Sequence, residues 1–353
     1  MKRIITNLPI KPQTDIKTGL YLTPLLLETI AKLTNSEGVL MLNLLHSFKD
    51  YSNNEEAFIY GLQEKGIKFN NVESDIDNIE KYKNIINDLY NLNILKPIQY
   101  TNYSCECKRV EIRKDKLQNL RNKKLINEVN GEYQCAFCNS KLIESSEIGL
   151  ALDCKDIQNC NIPIFPSNLQ NQIKKCMNCS DFELLVSKSR NTGVSVVLDG
   201  IKYNIDIDFL LYLTPHLFEN KDITIVACNR HVVHTLITNY INSVYGHKNL
   251  MFVEHPYIIS KNEGDSYSSL TELYDNNLFK ATLLNTISWN HTNSLWDENK
   301  YKYLKKNKDY LEESLKFDEK VDGSINLLKT RNVLTNYCKI TEKINNYKQN
   351  QME

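Results

Sequence analysis

The stretch Thr23-Pro24-Leu25-Leu26-Leu27-Glu28-Thr29-Ile30-Ala31-Lys32-Leu33, then Glu37-Gly38, then Val39-Leu40-Met41-Leu42-Asn43-Leu44-Leu45, decides the fold class. Its first part carries apolar residues at helical spacing. Thr23 is a suitable N-cap, and Pro24 suits a first helical position because it lacks the amide that position leaves unused. Glu37-Gly38 ends the helix. The run from Val39 is nearly continuous in apolar residues and of strand length, as expected for a strand covered on both faces.

Working outward, residues 4–9 read as a short buried strand. Helical patterns lie at 53–65 and 77–93, the second spaced as Ile79, Tyr82, Ile85, Ile86, Leu89 and Tyr90. Strand–helix alternation of this kind predicts an α/β fold with a Rossmann-like parallel sheet. Alternation returns late in the chain. Strands are expected at 194–198, 201–209, 222–228 and 250–253, with a helix at 231–245. Further helices are expected at 268–287, 301–315 and 324–347. The predicted organisation is 1–100 and 190–265 as two sheet halves, 101–189 as an insertion, and 266–353 as a helical stem and tail.

Composition limits the function classes. The 353 residues are 41% hydrophobic and 24% charged, which is the globular range. Lys+Arg and Asp+Glu are both 43, so no global charge demands a nucleic-acid partner. No export signal or membrane span is expected from the sequence, and DNA is not an expected partner. Ten cysteines in such a chain point to metal in the cytoplasm rather than to disulfides.

Eight of those cysteines fall within 105–179. Cys105-x-Cys107 is followed by Cys135-x-x-Cys138, and Cys154-x5-Cys160 by Cys176-x-x-Cys179. Close pairs on tight turns, joined by a returning loop, are what four tetrahedral thiolates need. One or two structural zinc ions are expected. Four thiolates per ion leave no open position for catalysis. An interlaced pairing, Cys105 and Cys107 with Cys176 and Cys179, satisfies the same spacing. Cys228 and Cys338 stand apart and read as packed thiols. Lys108-Arg109, Arg113-Lys114 and Arg121 with Lys123-Lys124 give the insertion a basic stretch, to be read as an RNA-binding face or as solvated helix faces.

Sheet half, zinc-bearing insertion, second sheet half and helical stem together resemble the glutamyl-tRNA synthetase catalytic core. Thr18-Gly19, the following helix and Gly38-Val39-Leu40-Met41-Leu42 resemble its opening strand–helix–strand. Cys105-Glu106-Cys107 resembles its zinc pair. Leu283-Leu284-Asn285-Thr286-Ile287-Ser288-Trp289 resembles the segment after its catalytic loop. The chain is most similar to the short members without an anticodon-binding domain. The resemblance covers about 1–300 and implies a class I synthetase fold with ATP and tRNA as ligands.

The family's signature residues are replaced. Tyr21-Leu22-Thr23-Pro24 stands where a His-x-Gly-His motif holds ATP phosphates, leaving Tyr21, Thr23 and a helix N-terminus as the nucleotide-binding candidates. Lys261 to Ser269 stands where a Lys-Leu-Ser-Lys loop is found, with Lys261 and Ser268 as its candidates. Asn43-Leu44-Leu45-His46 and Cys228-Asn229-Arg230-His231 replace the amino-acid-recognition residues. His46, Arg230 and His231 are the catalytic candidates at strand ends, with His234 one helical turn beyond His231. The expectation is a synthetase-like protein that no longer performs ATP-dependent aminoacylation, a pseudoenzyme that binds tRNA or other RNA, a nucleotide or a protein partner. The alternative is an active paralogue acting on an aminoacyl-tRNA or an unusual amino acid.

Overall fold

The computed structural model describes residues 3–307 apart from several stretches, the longest being 7–15, 46–53 and 260–274. The helix expected at 324–347, and most of that expected at 301–315, lie outside the described residues. The chain divides into two compact units. One comprises 1–79, 156–180 and 211–353, and the other 80–155 and 181–210.

The first unit is built on a six-stranded parallel sheet. Its strands are β1 (Arg3–Thr6), β2 (Glu37–Leu42), β3 (Asn71–Ser74), β9 (Ile164–Phe165), β13 (Asp222–Cys228) and β14 (Asn249–His255). They lie in the order β3-β2-β1-β13-β14-β9. The order runs one way from β1 through β2 to β3 and the other way from β13 to β14. The carboxyl ends of β1 and β13 therefore flank a switch point, where open α/β sheets bind ligands. The sheet takes β9 from the cysteine-rich segment and, from 190–265, β13 and β14.

The opening helix, α1, spans Leu22–Leu33 and follows a 3-10 turn at Thr18–Tyr21. Thr23 was expected as its N-cap. Instead Tyr21 holds that position and Thr23 lies in the first turn. The 3-10 turn already occupies the approach to the helix, so the cap moves back by two residues. Leu22, Leu25, Leu26, Leu27 and Ile30 are buried against Leu40, Leu42, Val226 and Val253 from the sheet. Gly38 lets α1 come close to β2: a Cβ there would sit 3.0 Å from Leu27 Cδ2 and 3.3 Å from the Ala31 methyl.

The strand expected to run to Leu45 stops at Leu42. The amides of Leu44 and Leu45 donate to Asp75 Oδ1 at 2.7 and 3.1 Å, which takes them out of the ladder. Helix α2 (Glu55–Glu64) agrees with its pattern. At the other end of this unit, α8 (Asn276–Thr286) is capped by the Asp275 carboxylate, which accepts from the amides of Asn277 and Leu278.

The second unit is antiparallel. Helix α3 (Ile79–Asn91) leads into β4 (Leu95–Ser104), which pairs along its whole length with β8 (Ile143–Asp153). Together with β5 (Glu111–Arg113) and β10 (Glu183–Leu185) they form a sheet in the order β10-β8-β4-β5. This segment is more regular than its sequence suggests. Glu147 explains part of the difference, since its carboxylate accepts from Tyr100, Asn102 and Ser145 and so fills a strand face with polar rather than apolar residues.

Strands β11 (Val194–Leu198) and β12 (Ile201–Ile205) pair with each other along their length, and Ile205 adds an antiparallel bridge to Ser187. The strand expected to reach 209 ends at Ile205, and α6 (Ile207–Leu213) follows. Asp206 makes the break: its carbonyl accepts from Phe209 N, and its carboxylate pairs with Lys188. An aspartate at this point offers the backbone a helix start in place of the ladder.

Candidate functional site

The cysteines of the first set come together. Cys105 follows β4 and Cys107 lies on the turn after it. Cys135 ends β7 (Glu132–Cys135), which pairs with β6 (Ile126–Val129), and Cys138 follows on the next turn. The four sulfurs all lie within 4.8 Å of one another. Cys105 and Cys107 are 3.2 Å apart, and Cys107 and Cys135 3.8 Å. A tetrahedron of thiolates about 2.3 Å from a zinc ion has edges of about 3.8 Å. The donor set therefore fits a closed structural site, and these four residues can hold a metal ion. Among the described residues the cysteines assemble in the consecutive pairing, and the partners of the interlaced one, the Cys176 side chain and Cys179, lie outside them.

The turns are shaped for that purpose. The Val110 amide approaches Cys105 Sγ, and the Phe137 amide Cys135 Sγ, each at 3.4 Å, so backbone donors point at the sulfurs. Asn139 adopts left-handed backbone (φ 56°), a conformation asparagine tolerates, and closes the second turn. Ser140 lowers the Cys138 thiol to about 6, first through its hydroxyl and then through its amide, which favours the thiolate a metal needs. Cys105 and Cys135 are buried beside Val110, Leu117, Ile126 and Leu142, while Cys107 and Cys138 reach the surface. The Arg109 guanidinium lies 5.4 Å from the centre of the Phe137 ring, bridging the two turns.

The second set is not assembled among the described residues. Cys154 is buried at the end of β8, and Cys160 lies 3.5 Å from the Ser243 hydroxyl. Cys176 sits on α5 (Leu169–Asn178), and its side chain and Cys179 are outside the described residues.

The carboxyl edge of the parallel sheet presents a different arrangement. His46, Arg230, His231, Lys261 and Ser268 all lie outside the described residues. Tyr21 is buried and packs edge-on against Phe279, with ring centres 5.3 Å apart. The Thr23 hydroxyl lies 2.7 Å from His255 Nε2. His255 Nδ1 lies 3.0 Å from the Pro256 carbonyl, which can only accept. The proton is then on Nδ1, and in the neutral ring Nε2 accepts from Thr23. His234, expected beside the strand ends, packs edge-on against Tyr212 at 4.9 Å.

Sequence reasoning missed His255. The strand expected at 250–253, with Pro256 closing it, is longer in the structure and runs Asn249–His255. Strand alternation then sends His255 toward α1 and Glu254 toward the opposite face, where it meets Thr235 of α7 (Val232–Ile241). Glu254 is fully buried, and desolvation pushes its carboxyl up to about 8. Burial likewise pushes Asp75 up to about 6, against the pull of the Leu44 and Leu45 amides.

Among the described residues no helix is long and apolar enough to cross a membrane. No protein family matches the chain, and no curated protein matches it by sequence. Solved structures do resemble it. Mycobacterium tuberculosis methionyl-tRNA synthetase bound by methionyl-adenylate superposes with a TM-score of 0.64 at 10% identity, over 86% of this chain and 68% of that one. A second structure of that enzyme with methionyl-adenylate gives 0.61 at 12% identity, over 86% and 68%. The apo form gives 0.62 at 12% identity, over 87% and 66%. The chain thus spans about two thirds of these enzymes, and at this identity the likeness concerns the fold. The chain thus has a fold like that of these solved aminoacyl-tRNA synthetase structures, built on a parallel sheet with its switch point at β1 and β13.

Proposed function

We propose that the chain is a synthetase-like protein that binds tRNA and has lost ATP-dependent aminoacylation. One observation carries the reading. The α1 N-terminal turn, where the family resemblance puts the phosphate-binding histidines, has its side chains engaged within the fold. Tyr21 packs on Phe279, Thr23 pairs with His255, and Pro24 offers no amide. The helix dipole still favours an anion there, but without a dedicated clamp. The glutamyl-type layout of the sequence and the methionyl-type solved structures share one class I fold, so the reading is set at that level. Zinc is the metal proposed for the four-cysteine cluster.

The test is ATP–pyrophosphate exchange with each standard amino acid, alongside a gel-shift assay with total tRNA. Exchange at background with tRNA retained is the expected result. Exchange clearly above background with any amino acid overturns the reading.

A second reading rests on His255, which brings an imidazole to the first turn of α1. On it, the protein acts on an aminoacyl-tRNA or an unusual amino acid, with His255 as acid–base group. Incubation with charged tRNA followed by mass spectrometry tests it. A product formed by the wild type and lost in His255→Ala supports it, and no product from the wild type sinks it.

A further inference from the structure

A cavity of about 480 Å³ opens at the amino edge of the parallel sheet. Its walls come from the chain before β9, the end of α7 and the start of β14. Asn249 begins β14 and His255 ends it. Six residues of strand, about 20 Å, separate this cavity from the crevice at the α1 N-terminus.

Two observations mark the cavity as a built site. First, its wall is a π-helical turn, Asn242–Gly246, continuing α7. Such turns give up regular helix bonding, are rare, and occur frequently at functional sites. This one is wedged in place: His216 lies edge-on to Tyr245 at 5.4 Å, and a Cβ at Gly246 would come within 2.3 Å of the His216 ring. Second, the lining includes two carboxamides buried in a helical wall, where asparagine is uncommon. Asn239 and Asn242 are buried on α7 and its π extension, both against the cavity. Asn239 Nδ2 donates to the Asn161 carbonyl at 3.2 Å, which fixes its orientation.

The chemistry of the lining restricts the ligand. Among the described lining residues the one charged side chain is Asp156, so an anion is disfavoured. Carboxamides offer a donor and an acceptor side by side, which matches the edge of an amide-bearing ring. Leu250 and Val244 supply an apolar surface for the ring face. The volume lies in the range of small-molecule sites. We propose that this cavity binds an uncharged nucleobase or nucleoside, held by the Asn239 and Asn242 carboxamides against the π turn.

Cys160 provides a local reporter, since it lines the cavity and lies 3.5 Å from the Ser243 hydroxyl. The experiment measures the rate of Cys160 alkylation by iodoacetamide, read by peptide mass spectrometry on the full chain. The probes are adenosine, cytidine and AMP. Adenosine or cytidine at nine times its Kd should slow alkylation about tenfold, because only the unliganded fraction reacts. The protection should vanish in Ser243→Phe, which fills the cavity from an exposed position and leaves the fold, checked by circular dichroism, unchanged. Protection by AMP stronger than by adenosine overturns the proposal. So does an unchanged Cys160 rate with both nucleosides at millimolar concentration, or protection that survives in Ser243→Phe. Nucleotide binding in the α1 crevice alone leaves the Cys160 rate unchanged, so the failure of this proposal and that of the synthetase-like reading are distinguishable.

Discussion

The four-cysteine cluster and the α1 N-terminal turn are both sites that the sequence nominated, and they differ in where their side chains point. In the cluster, four sulfurs converge within 4.8 Å and backbone amides aim at two of them. At the α1 turn, Tyr21 and Thr23 are turned toward neighbouring elements and engaged there. One region converges its donors on a point where a metal ion could sit, and the other is closed on itself. Chemistry that depends on four like donors leaves its mark in spacing. Chemistry that depends on a single imidazole brought from a distant strand does not.

The largest expected effect tests the metal half of this contrast. A structural zinc contributes about 10–16 kcal/mol of binding free energy to the segment that holds it. Cys135→Ser should therefore remove one zinc equivalent, measured by plasma emission spectrometry. It should also expose Cys105, Cys107 and Cys138 to alkylation, while the parallel-sheet unit still melts cooperatively. An unchanged metal content in Cys135→Ser would break the comparison.

Next is the pH response of the sheet unit. Glu254 holds its proton in the folded state up to about pH 8, against an ordinary value of 4.5. Between these values the unfolded chain is ionised and the folded chain is not. Stability from this group is thus fully present below pH 4.5 and is lost as the pH rises toward 8, by on the order of 3–4 kcal/mol. Glu254→Gln keeps a partner for Thr235 and should flatten that slope in urea titrations at pH 5 and pH 8.

A smaller effect tests how tightly α1 is held. Gly38→Val would press on Leu27 and Ala31 and should lower stability by about 1–3 kcal/mol in chemical denaturation, with zinc content unchanged. The smallest concerns the turn itself. Thr23→Val removes the hydroxyl that pairs with His255 and should lower stability by about 1 kcal/mol. It should also shift the His255 ring resonances in NMR. If those resonances stay in place, the turn is not closed by this pair.

Several features were legible because they are periodic or repeated. The spacing of Ile79, Tyr82, Ile85, Ile86 and Leu89 gave α3, whose Tyr82, Ile85, Ile86 and Leu89 are buried. The buried run from Val39 gave β2, and Cys105, Cys107, Cys135 and Cys138 gave the four-sulfur cluster. What escaped notice depends on a single residue acting across the fold. Asp75 draws the amides of Leu44 and Leu45 away from a strand, and Asp206 turns a strand into a helix. Neither residue carries a pattern of its own.

The sequence by itself determined the α/β class, the core helices and strands, and the four-sulfur donor set. Hydrophobic period and ligand spacing are local properties of a chain. Only the tertiary structure decided that β9 joins β14, that β11 and β12 pair apart from the parallel sheet, and that His255 meets Thr23 from 232 residues away. Those pairings depend on which groups satisfy one another's hydrogen bonds once water is excluded, and that is settled only when distant segments pack together.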